Sequence, residues 1–435
     1  MAKICVYIGL LLISSQLQAQ QFGLFNTNTL FDAFENPAQR AFTSDDSRQY
    51  ASNFLFPTGG FNTSNRGDAS YTLQRKLNDG FIDTKNIPVG MNNRNKLYGG
   101  SNVYLLTFRM SPFYQNNKEL GFSWQIRSDA YANYTNETLV ALRNYGRFST
   151  SKDDLFNGDG YGQSYHQFSA NYRVDYGDGI AVGLKVGVLS GITYNNADVT
   201  QSGLTVSPDH LSVRLTGKYK ASFLLTEELD RNTLLPDFKN PGLSVSLGTT
   251  YRSASDVFIM ANLKDLGFIR WNKNSSSVVL NNDLIVLNAG TAANSKELQR
   301  KVVDLLKLKN QRGAFYTATN AKVDFLISKT YNFYTPDLII SKNLFYNGAD
   351  VVLVNNFKVE EFTISVTPAF NMNQFLLFGV QGLYQTANFE LFAGTDNLLK
   401  SAVIFNDASY SPKGVIGASL YLGVGIKFGH NAERR

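Results

Sequence analysis

The residues able to do covalent, metal or proton-transfer chemistry are few and far apart. The 435-residue chain has three histidines, His166, His210 and His430, and one cysteine, Cys5. A metal site needs several such ligands at short spacings, and a hydrolytic triad needs a histidine beside a nucleophile and an acid. Neither spacing occurs, so no catalytic residue, metal ligand or cofactor is assigned, and the chain reads as non-enzymatic. The run 157–160, Asn-Gly-Asp-Gly, resembles part of a calcium loop. Leu155 and His166 occupy the first and last ligand positions, where acids belong, which makes a glycine-rich turn the better reading. Gly423, Gly425 and Gly429 lie in an alternating segment and open no helix, so they form no phosphate loop.

What remains is charge carried at alternate positions. Arg109, Arg127, Arg173, Lys185, Arg214, Lys218, Lys220 and Arg252 each take the polar phase of a two-residue alternation. If the apolar set of each strand faces lipid, all eight point into a lumen with few strand acids beside them. That lumen would favour anions or hold an acidic segment. The competing reading is ordinary internal charge paired by loops.

The elements that must position these residues are strands. The segment 420–428 alternates Leu420, Leu422, Val424, Ile426 and Phe428 with Tyr421, Gly423, Gly425 and Lys427, the period of a strand with one oily face. In 120–127, Leu120, Phe122, Trp124 and Ile126 are set against Gly121, Ser123, Gln125 and Arg127. The run 211–225 sets Val213, Leu215, Tyr219 and Phe223 against Arg214, Lys218 and Lys220. No helices alternate with these strands, and no later stretch is apolar enough for a spanning helix. The fold expected is all-β, a transmembrane antiparallel β-barrel of about fourteen strands, within about twelve to sixteen. Aromatic residues make up 13% of the chain, more than a soluble core needs and suited to interfacial girdles.

Long polar stretches at 57–101, 131–164, 226–241, 265–319 and 394–415 fall on one side of such a barrel as surface loops. A short helix is expected at 136–145. A more convincing one, at 295–308, has Leu298, Val302, Leu305 and Leu306 on one stripe.

Four divisions follow. Residues 1–19 read as a secretory signal, with Lys3, an apolar run over 4–13 and cleavage after Ala19. Residues 20–48 form an N-terminal periplasmic arm or a hatch entering the lumen, with Asp32, Glu35, Asn36 and Pro37 as hatch candidates. Residues 49–428 are the barrel, closed by pairing of the last strand with the first near 51–56. Residues 429–435 are a tail. Loss of Cys5 with the signal leaves no disulfide or thiolate chemistry. The net charge of +6 comes without a clustered basic run, so nucleic-acid binding is not indicated.

Two blocks carry a resemblance. Residues 242–252 with 262–271, and 389–399, resemble the core and C-terminal blocks of a Bacteroidota outer-membrane barrel family of unknown function. That family is similar in outline to the PorP/SprF proteins of type IX secretion and gliding, and more distantly to FadL-like transporters. Asn36-Pro37-Ala38 resembles a triplet near the mature N-terminus of the latter. The resemblance implies a Gram-negative outer-membrane location, contact with outer-membrane lipid, and assembly machinery that reads Phe428, although here seven residues follow it. Two functions stay open. One is a scaffold in an envelope or secretion assembly that binds surface or secretion proteins. The other is a FadL-like transporter or porin-like pore for small apolar or anionic molecules.

Overall fold

The computed structural model describes residues 27, 29–42, 47–80, 83–111, 117–223, 234–288, 295–346, 348–372, 375–404 and 414–430. Residues 1–19, expected to be an export signal, and the part of the expected tail beyond residue 430 lie outside these. Fourteen antiparallel barrel strands close on themselves, matching the number expected from alternation.

Ten strands are continuous: β2 (Arg94–Met110), β3 (Lys118–Thr135), β4 (Gly158–Gly177), β5 (Ile180–Val206), β9 (Tyr334–Asn343), β10 (Ala349–Val359), β11 (Phe362–Asn371), β12 (Phe375–Gln385), β13 (Phe389–Thr395) and β14 (Val415–His430). Four are interrupted: β1 (Arg48–Ser52 and Thr58–Arg66), β6 (His210–Ala221 and Pro241–Arg252), β7 (Val257–Trp271 and Ser276–Asn288) and β8 (Gln311–Arg312, Phe315–Ala318 and Lys322–Lys329). Closure is by β14 against β1, with Tyr50 opposite Phe428 and Asn62 opposite Ser419. This removes both sheet edges.

The outer face is apolar. Leu120 and Phe122 on β3, Ile180, Val182, Leu184, Val186 and Val188 on β5, Phe325 and Ile327 on β8, and Leu420 and Leu422 on β14 are all exposed. Their intervening neighbours Ser123, Gln125, Arg127, Lys185 and Lys427 are buried inside. An apolar exterior over a polar interior is the surface pattern a bilayer requires of a barrel. No helix among the described residues is long and apolar enough to cross a membrane.

Short turns gather at the end where β1 starts and β14 finishes, and long connections gather at the other, the loop end. The stretch expected as one loop after residue 57 instead holds the second half of β1, a helix α2 (Ala69–Asp79) and the start of β2. Polar residues hid these elements because strand faces turned to a polar lumen need no apolar alternation. Likewise the interruption expected at 265–319 contains most of β7 and the start of β8.

β5 is 27 residues long, well over the roughly 9–11 residues that cross a bilayer. Its upper half, with the first half of β6 and the second half of β7, extends past the apolar belt. The inner face of this extension, through Leu204, Leu211, Val213, Ile285 and Leu287, packs on Val140 and Ala141 of α3 (Asn136–Asn144) and Leu298 of α4 (Ser295–Lys309). Thr135 caps α3 by accepting the Thr138 amide at 3.2 Å, in the manner of a helix N-cap. Glu137 then accepts the amides of Gly90, Met91 and Asn92 at 2.7, 3.1 and 3.2 Å. The loop end is therefore a packed cap. A fifth helix, α5 (Leu398–Ile404), lies between β13 and β14.

Candidate functional site

Residues 29–42 lie inside the barrel, with the one-turn helix α1 (Asp32–Glu35) at their centre and nearly every side chain buried. Phe31 and Phe34 pack on Tyr104, at ring separations of 5.6 and 5.9 Å, and Phe31 meets Phe392 edge-on at 5.7 Å. An irregular segment buried this way has backbone groups that cannot reach water and must find partners. The strands supply them. Arg109 and Asn171 donate to the Ala33 carbonyl at 3.3 and 2.9 Å, and Lys185 to Phe34 at 3.1 Å. Asn262 donates to Glu35 at 2.9 Å, Arg173 to Ala38 at 2.7 Å and Arg109 to Gln39 at 3.3 Å. In the other sense, the Leu30 and Ala41 amides donate to Glu390 and Glu119 at 2.6 and 3.2 Å.

The Asn36-Pro37 corner rests on Gly183 and Gly248, which face each other across the β5–β6 ladder. A Cβ on Gly183 would overlap the Pro37 backbone, and one on Gly248 would overlap the Asn36 carboxamide. Two glycines side by side thus make a flat floor for the close approach of another backbone. Asp32, Glu35, Asn36 and Pro37 all belong to this seated segment. Glu35 accepts from Asn102 at 2.9 Å and from the Tyr104 hydroxyl at 2.6 Å, and its other oxygen pairs with Lys264.

The eight basic residues divide. Arg109, Arg127, Arg173 and Lys185 are inside and buried. Arg214, Lys218 and Lys220 are exposed on the outer face of the extension beyond the belt, contrary to the expectation that they line the lumen. There the apolar face of β6 is turned inward onto the cap helices, so the polar face looks out. Arg252 stands at the short-turn end, exposed, with its guanidinium 5.1 Å from the Phe258 ring.

The expected shortage of internal acids is also corrected. Arg109 pairs with Glu119 at 3.1 Å, Lys185 with Asp265 at 3.0 Å, Lys427 with Glu390 at 3.0 Å, Arg127 with Asp265 and Lys264 with Glu35. The interior is charge-paired. It therefore gives no support to an anion-selective pore.

Lys264 keeps the inward phase of Met260 and Asn262, whereas sequence alternation missed Asp265 and Tyr104 for one reason. The register of β7 slips between Leu263 and Leu266, with Asp265 at φ 52°. This bulge turns two consecutive charges to the inside. A second slip, between Tyr104 and Leu106 on β2, turns Tyr104 inward while Leu106, Phe108 and Met110 keep to the outer face. It lies opposite the interruption of β1, where Asn53 accepts the Thr107 amide at 2.7 Å and donates to the Phe56 carbonyl at 2.8 Å.

His166 is on the outer face, accepting from Trp124 Nε1 at 3.3 Å, with its Nε2 2.8 Å from the Leu234 carbonyl. With Nδ1 as acceptor, Nε2 carries the proton and donates to Leu234. It takes no part in a metal cluster, and no group of three or more His, Cys, Asp or Glu among the described residues could hold a metal ion.

A closed antiparallel barrel with an apolar exterior, its lumen occupied by its own N-terminal segment, defines a plugged β-barrel. The chain belongs to a family of unknown function (DUF5723), whose model matches residues 41–396. Its fold is similar to several solved barrels. The toluene transporter TbuX of Ralstonia pickettii is 9% identical, with 92% of this chain and 94% of that chain covered and a TM-score of 0.43. A FadL homologue of Pseudomonas aeruginosa is 9% identical, with 93% and 95% covered and a TM-score of 0.45. The toluene transporter TodX of Pseudomonas putida is 8% identical, with 96% of each chain covered and a TM-score of 0.43. No curated protein matches the chain.

Proposed function

We propose that the protein is a non-enzymatic outer-membrane barrel of a Gram-negative cell that passes small apolar molecules, with residues 29–42 acting as its hatch. The observation that carries this reading is the asymmetry of the inner wall. One side is the polar seat just described. The other, on β7 to β12, carries a band of buried Met260, Leu326, Ile339, Val352, Val354 and Leu377, set among polar Asp324, Ser328, Asp337, Ser341, Thr367 and Gln381. Water wets that band poorly, and an apolar solute gains roughly 25 cal/mol for each Å² of it that it covers. Displacement of the hatch from the polar side would open a route whose remaining surface favours apolar cargo over ions.

On this reading the loop end faces the exterior, the short-turn end and the hatch face the periplasm, and 1–19 is the cleaved export signal. Outer-membrane lipid and the assembly machinery, reading Phe428, are its obligatory partners. The test is accumulation of a radiolabelled, sparingly soluble aromatic hydrocarbon by Gram-negative cells expressing the protein. Uptake above that of cells with empty vector, abolished when the hatch is fixed to the wall by a disulfide between cysteines placed at Ala38 and Ala181, is the expected result. Equal uptake with and without the protein refutes it.

A second reading is favoured by the cap. Its core of Val140, Tyr145, Leu155, Leu287 and Leu298 holds the loops as a fixed surface, which suits a scaffold for an envelope or secretion partner, as a PorP/SprF-like protein of Bacteroidota would be. Crosslinking in native membranes separates the two, since a scaffold brings down a stoichiometric protein and a transporter does not.

A further inference from the structure

At the short-turn end the inner segment does not fill the lumen. A cavity of about 180 Å³ lies between residues 38–40 and the walls formed by the β4–β5 and β6–β7 turns. Arg40, Arg173 and Arg252 line it together with Asp32, Asp175 and Phe258, three guanidinium groups against two carboxylates among the described residues. Asp175 is held by Arg173 at 2.8 Å and accepts the Gly177 amide at 3.1 Å. Asp32 accepts from Thr27 at 2.7 Å.

Arg252 is different. Its backbone amide donates to the Gly179 carbonyl at 2.8 Å, but its guanidinium lies over the Phe258 ring, and among the described residues no carboxylate pairs with it. An arginine stacked on an aromatic face keeps its donor fork available for a bidentate carboxylate contact. The ring beside it offers an apolar plate.

We propose that this cavity binds a small organic monoanion, a single ring or short chain carrying one carboxylate. The carboxylate sits on Arg252 and the apolar body lies against Phe258. Size and charge both select this class. An apolar cavity of about 150 Å³ takes benzene, so about 180 Å³ suits a ring with one small substituent. The lining has one positive charge in excess, and its two aspartates disfavour a second negative charge on the ligand. The site needs the inner segment in place but does not rest on transport. Its failure would leave the transport reading standing.

The experiment uses full-length protein in detergent micelles with 4-fluorobenzoate as probe, followed by fluorine NMR. Binding is expected to be saturable, displaced by benzoate, and at least tenfold less sensitive to benzyl alcohol or inorganic phosphate. Arg252→Gln should weaken binding at least tenfold while heat-modifiable gel migration stays normal. Thr250→Trp, which fills the cavity from β6, should abolish it. Any of four results overturns the proposal: no saturable binding, full affinity in Arg252→Gln, full affinity in a folded Thr250→Trp barrel, or displacement by benzyl alcohol or phosphate as effective as by benzoate.

Discussion

Replacement of Glu35 by alanine tests the seat most directly. Its carboxylate is fully buried, pairs with Lys264, and accepts from Asn102 and Tyr104. Truncation removes the carboxylate that pairs with the Lys264 ammonium and accepts from the Tyr104 hydroxyl. Removing one partner of a buried ion pair costs about 3–5 kcal/mol. At about 1.4 kcal/mol per decade, that raises the opening equilibrium of the inner segment by about two to more than three powers of ten. The barrel itself is not touched, because its closure runs through β14 and β1. Hydrogen–deuterium exchange of a peptide covering residues 29–42 reads the opening, and peptides from β9 to β12 serve as the internal control. Glu35→Leu combined with Lys264→Met removes both charges and should recover most of the lost protection, giving a coupling energy of either sign convention well above the roughly 0.5 kcal/mol of independent sites. Exchange in Glu35→Ala within threefold of wild type, or a double variant no better protected than the single one, would show that the pair does not hold the segment.

Gly248→Val places a side chain where the Asn36 carboxamide lies, so the inner segment should lift and trypsin should cleave at Arg40 faster by at least tenfold, with heat-modifiable migration unchanged. Charge reversal by Lys218→Glu with Lys220→Glu should leave exchange of 29–42 as in wild type, since both residues face outward, while Lys185→Glu should deprotect it strongly. Val424→Arg, on the outer face of the closing strand between exposed Leu422 and half-buried Ile426, should cost about 2–4 kcal/mol if it lies at mid-bilayer depth. Guanidinium titration of refolding into lipid vesicles measures that loss. Leu298→Ala in the cap should cost about 2–5 kcal/mol locally, seen as faster exchange of α4 with the barrel transition unmoved.

Alternation made most of the barrel legible, because lipid on one side and a polar lumen on the other impose a strict two-residue period. On β3, Leu120 and Phe122 are outside and Ser123, Gln125 and Arg127 inside, as their spacing predicts. The same period misleads on β6. Val213 and Tyr219 alternate with Arg214 and Lys218 just as cleanly, yet the apolar set is buried and the basic set exposed. Period alone separates two faces without saying which is inside, and beyond the belt the cap helices, not lipid, take the apolar one. Bulges are the other blind spot. A one-residue slip reverses every later side chain, and nothing in the order Leu263, Lys264, Asp265, Leu266 marks where it falls. The partners of the seat were hidden for a third reason. Lys264 and Glu35 are 229 residues apart, and a contact at that separation has no local signature.

The luminal arginines and lysines take on a different meaning once their partners are known. In an open pore, internal cations would set the selectivity of what passes. Here Arg109, Arg173 and Lys185 each spend a donor on a carbonyl of residues 33–39, and each is also held by Glu119, Asp175 or Asp265. The acid fixes the cation in place and the cation replaces the water that the buried backbone has lost. Lifting the inner segment therefore leaves the strand ion pairs intact and strips only their second partner, a carbonyl that water can replace. Lys264 is the exception among these, because its acid, Glu35, belongs to the segment and departs with it. The cost of opening centres on that pair, to which the Asn102 and Tyr104 bonds to Glu35, the Leu30 and Ala41 amide bonds to Glu390 and Glu119, and the packing of Phe31 and Phe34 add. A segment so held is released as a unit by whatever separates Glu35 from Lys264, and the strands around it keep their geometry.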